Sequence, residues 1–157
     1  MSDSDNNELS WGKRIAALAM ISIMGFGCTF CFDSPAALQT DLKEALNMTQ
    51  TEFMLLYTFY SAPNIVMCVV GGFLVDVILG KRVAAILFTF LVLTGQGLLA
   101  FGTSLGESFV WVLYLARFVY GLGGESLITA RSAYCVAWFS GSILNLAMGI
   151  ALTVTVL

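Results

Sequence analysis

Four stretches of this 157-residue chain hold eighteen or more residues with almost no charge: residues 15–32, 53–75 and 83–101 carry none, and residues 109–130 carry only Arg117 and Glu125. About 20 helical residues cross a hydrocarbon core about 30 Å thick, so each stretch reads as a transmembrane helix. A fifth, residues 143–157, starts the same way, and the chain stops inside it with no polar flank. The expectation is an all-α polytopic membrane protein with a short tail, residues 1–14, four full spans and a clipped fifth, as in a fragment of something longer. Composition supports this, at 59% hydrophobic and 11% charged, where a soluble domain carries about 25% charged residues.

What is missing narrows the chemistry. The chain has no histidine, which removes Ser-His dyads, Cys-His proteases, zincins and His-ligated haem. No paired aspartates lie within the spans, so no catalytic residue, metal or cofactor is expected and the chain reads as no enzyme. A net charge of −3 with seven Lys and Arg offers no basic patch for nucleic acid. Cys28, Cys31, Cys68 and Cys135 sit in or beside apolar runs. Cys28-x-x-Cys31 has redox spacing, but its span carries no cation to lower a thiol pKa, and all four read as packing residues.

Orientation follows from the Lys and Arg flanks. A cytoplasmic N-terminus puts Lys13, Arg14, Lys81, Arg82 and Arg131 inside and only Lys43 outside. The outer loop, residues 33–52, is then acidic, with Asp33, Asp41, Glu44 and Glu52. The first span is too long for a signal-peptide core and no small-residue cleavage site follows, so it reads as an uncleaved anchor. Asn47-Met48-Thr49 is a formal glycosylation sequon, read as unused because it lies so close to the second span. The connectors are too short for a soluble domain, which leaves function to side chains in or at the rim of the membrane.

Two segments stand out. In the first, Gly71-Gly72-Phe73-Leu74-Val75-Asp76 leads through Gly80 into Lys81-Arg82. An aspartate at a helix end beside two cations can tie neighbouring helix ends together, or simply be a solvated turn. In the second, Arg117, Gly121 and Glu125 are spaced by four on the fourth span. They share a face with about 80° of drift, and the two charges stand about 12 Å apart along the axis, too far to pair directly. Each needs a partner from another helix or a ligand, because charge inside hydrocarbon costs about 3 kcal/mol. The glycines let a second helix come close. Asn64, Gln96 or tyrosine side chains are the plainer candidates to satisfy both charges.

These residues carry a resemblance. Gly72-x-Leu74-x-Asp76 with Gly80-Lys81-Arg82 resembles the loop 2–3 signature of the major facilitator superfamily, and Arg117-x-x-x-Gly121-x-Gly123 resembles its fourth-helix motif. Val77 replaces the usual basic residue, and one extra residue separates Asp76 from Gly80. Asp33-Ser34-Pro35, Phe53-Met54-Leu55-Leu56-Tyr57, Pro63-Asn64, Trp138-Phe139 and the run from Arg117 to Leu127 look like the lysosomal dipeptide transporters of that superfamily.

The resemblance implies part of the N-terminal six-helix half of a twelve-helix fold, with a substrate site between the halves near the midplane. It implies a multi-pass protein of the lysosomal membrane, a uniporter exporting dipeptides, notably cationic ones, from lumen to cytosol. It also implies a glycosylated single-span partner. It implies that Glu125 takes the peptide amine. Arg117, Tyr57, Asn64 and Tyr120 join it as candidate substrate residues from the reading of the spans, the tyrosines as cavity-lining rings, although aromatics near span ends also sit at the interface. The implied gating residues are Gly72, Asp76, Gly80, Lys81, Arg82, Gly121 and Gly123. A basic residue of the fifth helix would take the peptide carboxylate, and this sequence has Thr155-Val156-Leu157 there. The dileucine address is only approached by Glu8-Leu9 in the tail. Pro63-Asn64 removes a backbone hydrogen bond within the second span, as a gating or a packing kink would. Tyr60 and Tyr114 also fall in the spans but are not singled out. The competing readings are a non-transporting membrane fragment or accessory subunit, and a facilitator carrier for another small organic solute.

Overall fold

The computed structural model describes residues 11–156, and among them every regular element is helical. The first ten residues, including Glu8-Leu9, and the terminal Leu157 lie outside the described residues. The long helices are α1 (Trp11–Ala37), α3 (Gln50–Phe73), α4 (Gly80–Ser104) and α5 (Val110–Trp138); α2 (Gln39–Ala45) and α6 (Gly141–Val156) are shorter. Two of them, α1 and α4, are long and apolar enough to cross a bilayer singly. The run from Gln50 to Ile78 reaches that standard as a pair of pieces bent by 49°. At 29 residues α5 is about 43 Å long, but Arg117, Glu125 and Arg131 lower its apolarity.

The helices overrun the apolar stretches. Residues 33–37 continue α1 although Asp33 and Ser34 end the uncharged run, because apolarity measures contact with lipid, not helical geometry. Arg131, read from sequence as a cytoplasmic connector residue, instead lies seven residues inside the end of α5 and is only 6% exposed. The outer loop is partly folded as well, with α2 inserted in it. Many of the largest apolar side chains, among them Met20, Ile65, Val69, Ile86 and Phe90, face outward. Buried positions include Arg117, Ser126 and Arg131. That inside-out polarity fits an integral membrane protein, whose exterior solvent is hydrocarbon.

The contacts divide into two compact units, residues 31–130 in one and the residues up to 30 with those from 131 onward in the other. In the first, Leu46, Met48, Phe53, Leu56, Leu99, Leu113 and Ala116 form a core against which Leu42 of α2 packs. Thr49 starts α3 with a reciprocal cap: the Glu52 amide donates to Thr49 Oγ1 at 3.3 Å, and the Thr49 amide donates to Glu52 Oε2 at 2.8 Å. The Thr49 amide first, and then the Thr49 hydroxyl, which also donates to Glu52 Oε2 at 2.9 Å, hold the exposed Glu52 carboxyl below the usual carboxylate range, with burial opposing. Thr49 closes the sequon, so its hydroxyl is engaged in the cap. In the other unit, Ile21, Cys135 and Ala151 bring α1, α5 and α6 together, with Leu18, Leu144 and Met148 around them.

Candidate functional site

Within residues 31–130, α5 supplies both intramembrane charges, and its neighbours decide what each one meets. Pro35 sits inside α1 and has no amide hydrogen, so the Cys31 carbonyl four residues earlier loses its helical partner. Two donors take it over: Ser34 Oγ at 3.1 Å and Arg117 Nη1 at 3.5 Å. Arg117 Nη2 donates to the Phe32 carbonyl at 3.1 Å. The guanidinium also lies 5.8 Å from the Tyr57 ring centroid and 5.5 Å from that of Tyr120. Arg117 is 1% exposed, and no carboxylate among the described residues pairs with it. Carbonyl dipoles and aromatic faces therefore compensate this charge, leaving only Nε without a partner.

Glu125 is different. Its Oε1 accepts a hydrogen bond from the Tyr60 hydroxyl at 3.0 Å, and it is half-buried, with no cation in pairing reach among the described residues. The Tyr60 ring packs 4.8 Å from Phe32 and 5.6 Å from Tyr120, centroid to centroid. Phe32 also meets Tyr57 edge-on at 5.7 Å. Phe32, Tyr57, Tyr60 and Tyr120 thus form one chain of ring contacts that touches both charges of α5. A half-buried carboxylate with one oxygen held and the other free to accept is chemically suited to an ammonium group.

Tyr57 and Tyr120, expected from sequence to line a substrate cavity, present their rings to Arg117, and the Tyr57 hydroxyl is buried without a hydrogen-bond partner. Asn64, beside Pro63, has a buried Oδ1 with no hydrogen-bond partner. Gln96 satisfies neither charge; its Nε2 donates to Ser34 Oγ at 3.0 Å, which links α4 to the proline-broken end of α1. Sequence reasoning offered a tyrosine as a partner for these charges without singling out Tyr60, and gave Ser34 and Pro35 no structural role. A proline four residues after a carbonyl within a span was a readable signal for a carbonyl in need of a donor. Which tyrosine meets Glu125 had none, because the pairing joins positions 65 apart.

The glycines sort by contact. A Cβ at Gly121 would collide with the Tyr60 carbonyl of α3, and one at Gly123 would stand 2.8 Å from the Phe88 carbonyl of α4. Both small residues therefore let a backbone lie directly against α5. In the Gly71-Gly72 pair the packed member is Gly71, whose Cβ would strike Ser126, whereas one at Gly72 meets open space. Beyond them, residues 74–78 form a π-helical turn closed by Leu79 N–H donating to the Leu74 carbonyl at 2.9 Å. Such a turn absorbs one additional residue, which is the size of the departure between Asp76 and Gly80. Gly80, at φ 69°, then starts α4 in a conformation that other residues reach only with strain. Asp76, Lys81 and Arg82 are all exposed, and Asp76 makes no ion pair with either cation among the described residues.

Comparison with known proteins adds family information to this geometry. A model described as Major Facilitator Superfamily matches residues 15–157. The chain is 46% identical over 140 residues to a protein of Mus musculus named lysosomal dipeptide transporter MFSD1, and 45% identical to the Homo sapiens protein of the same name. Each alignment covers 89% of this chain and 30% of the relative. The Gallus gallus protein of that name is 34% identical over the same length. The chain thus spans less than a third of the length of the relatives it matches.

Proposed function

This chain belongs to the Major Facilitator Superfamily, and on that premise we propose that it supplies helices of the first half of a uniporter that carries dipeptides, notably cationic ones, from the lysosome lumen to the cytosol by alternating access. The observation that carries this reading is Glu125. It is a half-buried carboxylate, oriented by Tyr60 and lacking a cationic partner among the described residues, on a chain about 45% identical to proteins named as lysosomal dipeptide transporters. The peptide α-ammonium is the partner that this carboxylate takes, with Tyr57, Asn64 and Tyr120 around the ligand. Arg117 holds the site from behind, and the cytoplasmic turn at Asp76, Gly80, Lys81 and Arg82 gates it. The bilayer is the lysosomal membrane and the N-terminus is cytoplasmic, as the Lys13-Arg14 and Lys81-Arg82 flanks favour. A glycosylated single-span protein accompanies it, by analogy with the family.

The test is ligand-induced thermal stabilisation of the full protein as its gene encodes it. Glu125→Gln keeps the volume and removes the charge. Losing one member of a buried charge pair costs about 2–5 kcal/mol, roughly 30-fold to several thousand-fold in affinity. The Gln variant is expected to fold and to lose stabilisation by dipeptide, and N-acetylation of the dipeptide is expected to abolish binding to wild type. Wild-type stabilisation retained in the Gln variant would remove Glu125 from the site. A bound amine that is not a peptide, with dipeptides inert, would favour a carrier of another solute.

A further inference from the structure

The hydrogen bond that orients Glu125 depends on where the Tyr60 ring stands. The Tyr60 hydroxyl sits at the far end of a side chain that can swing, and its 3.0 Å bond to Glu125 Oε1 is already long for an O–H donor, whose bonds span about 2.5–3.0 Å and weaken steeply when bent. A small rotation of the ring is enough to lose it. On α5, Tyr120 lies tilted at 5.6 Å, and a Cβ at Gly124 would stand 3.6 Å from the hydroxyl, an ordinary contact. A closer ring comes from α1: Phe32, at 4.8 Å.

Phe32 is well placed to act as a stop. Its carbonyl accepts from Arg117 Nη2 at 3.1 Å, and the Cys31 carbonyl before it accepts from Arg117 Nη1 at 3.5 Å and from Ser34 Oγ at 3.1 Å. Ser34 Oγ accepts in turn from Gln96 Nε2 at 3.0 Å. The segment ahead of Pro35 is thereby fastened to both α4 and α5. Tyr57 braces the Phe32 ring edge-on at 5.7 Å. All of these residues belong to the unit of residues 31–130.

We propose that Phe32 is a positioning residue for Glu125: its ring fixes Tyr60, and the Tyr60 hydroxyl then aims the carboxylate at the ligand. The identity of that ligand rests on the dipeptide reading. Substituting the side chain leaves the Arg117 tie in place, because that tie uses the Phe32 carbonyl and not its ring.

The experiment is a double-substitution cycle on the full protein as its gene encodes it. Wild type, Phe32→Leu, Tyr60→Phe and the pair are titrated with lysyl-alanine, and thermal stabilisation gives the affinity. Phe32→Leu is expected to weaken binding about 3- to 10-fold, as the loss of one hydrogen bond does. It is expected to have no further effect once the Tyr60 hydroxyl is gone. A ring that only fills space would lower the melting temperature and leave the affinity alone; a ring that touches the ligand itself would weaken binding equally in both backgrounds. Either result overturns the proposal. Should Phe32→Leu not fold, Phe32→Met, closer in volume and without a flat face, takes its place with the same expectation. Failure of the dipeptide reading shows separately, as a wild type that lysyl-alanine does not stabilise. The cycle is then read on the rate at which dicyclohexylcarbodiimide, a carboxyl reagent that enters apolar surroundings, labels Glu125, followed by mass spectrometry. Phe32→Leu is expected to raise that rate as far as Tyr60→Phe does, and the pair no further; an unchanged rate, or effects that multiply, refutes the proposal.

Discussion

Arg117 is tolerated at 1% exposure because a proline on another helix leaves a carbonyl without its amide. The guanidinium is therefore a tie between α5 and the broken end of α1, and the planar fork is what lets it reach two successive carbonyls. Arg117→Lys cannot span both oxygens or lie over two rings. It is expected to cost about 2–4 kcal/mol of stability, read as a lowered melting temperature and a lower yield of folded protein. Ligand preference among the molecules that do fold should stay the same. Tyr60→Phe removes only the hydroxyl that holds Glu125 Oε1, and is expected to weaken dipeptide binding several-fold while the melting temperature without ligand moves little. The charges themselves were legible, since Arg117 and Glu125 interrupt an otherwise apolar run. Their partners were not, because a tyrosine in a membrane helix looks the same whether it faces lipid, a ring or a carboxylate.

Between helices, small residues set the distances. Gly121 and Gly123 each admit a neighbouring backbone, so Gly121→Ala and Gly123→Ala are expected to cost about 1–3 kcal/mol each through overpacking. Gly97→Ala and Gly72→Ala point a methyl into open space. They are expected to be close to neutral, and a thermal-melt series over the four variants checks the contrast. The pattern of spans was readable because hydrophobic length is a property of the sequence alone. The π-helical turn at residues 74–78 was visible only as one residue too many, since the hydrogen bond from Leu79 to Leu74 that absorbs it is a choice of backbone register. The start of α3 carries a pH dependence. Glu52 has a lowered folded-state pKa, so its contribution is complete above the unfolded-state value and disappears as pH falls through the folded one. The cap is therefore expected to survive through the ordinary glutamate range, and slow exchange of the Thr49 amide, which donates to the Glu52 carboxylate, that persists there, then collapses at lower pH, is the readout.

At the scale of the whole molecule, α1, α3, α4 and α5 carry an apolar exterior and polar groups inside, with family membership established over residues 15–157. Sequence patterning misplaced Arg131, because a cation next to the end of an apolar run reads as a membrane flank when the helix in fact continues through it to Trp138. Without Arg131 the inside count still leads, with Lys13, Arg14, Lys81 and Arg82 against Lys43. A single cysteine at position 81 in a cysteine-free background is expected to react with an impermeant thiol reagent only from the cytosolic side, and one at position 43 only from the lumenal side. The central claim is that Glu125 is where a transported peptide is held, and counterflow measures it most directly. Vesicles containing the full protein are preloaded with unlabelled dipeptide and exposed to a trace of labelled dipeptide. Wild type is expected to accumulate label transiently and saturably, and Glu125→Gln, reconstituted at equal amount, to give none above empty vesicles. Equal accumulation by the two would contradict the account.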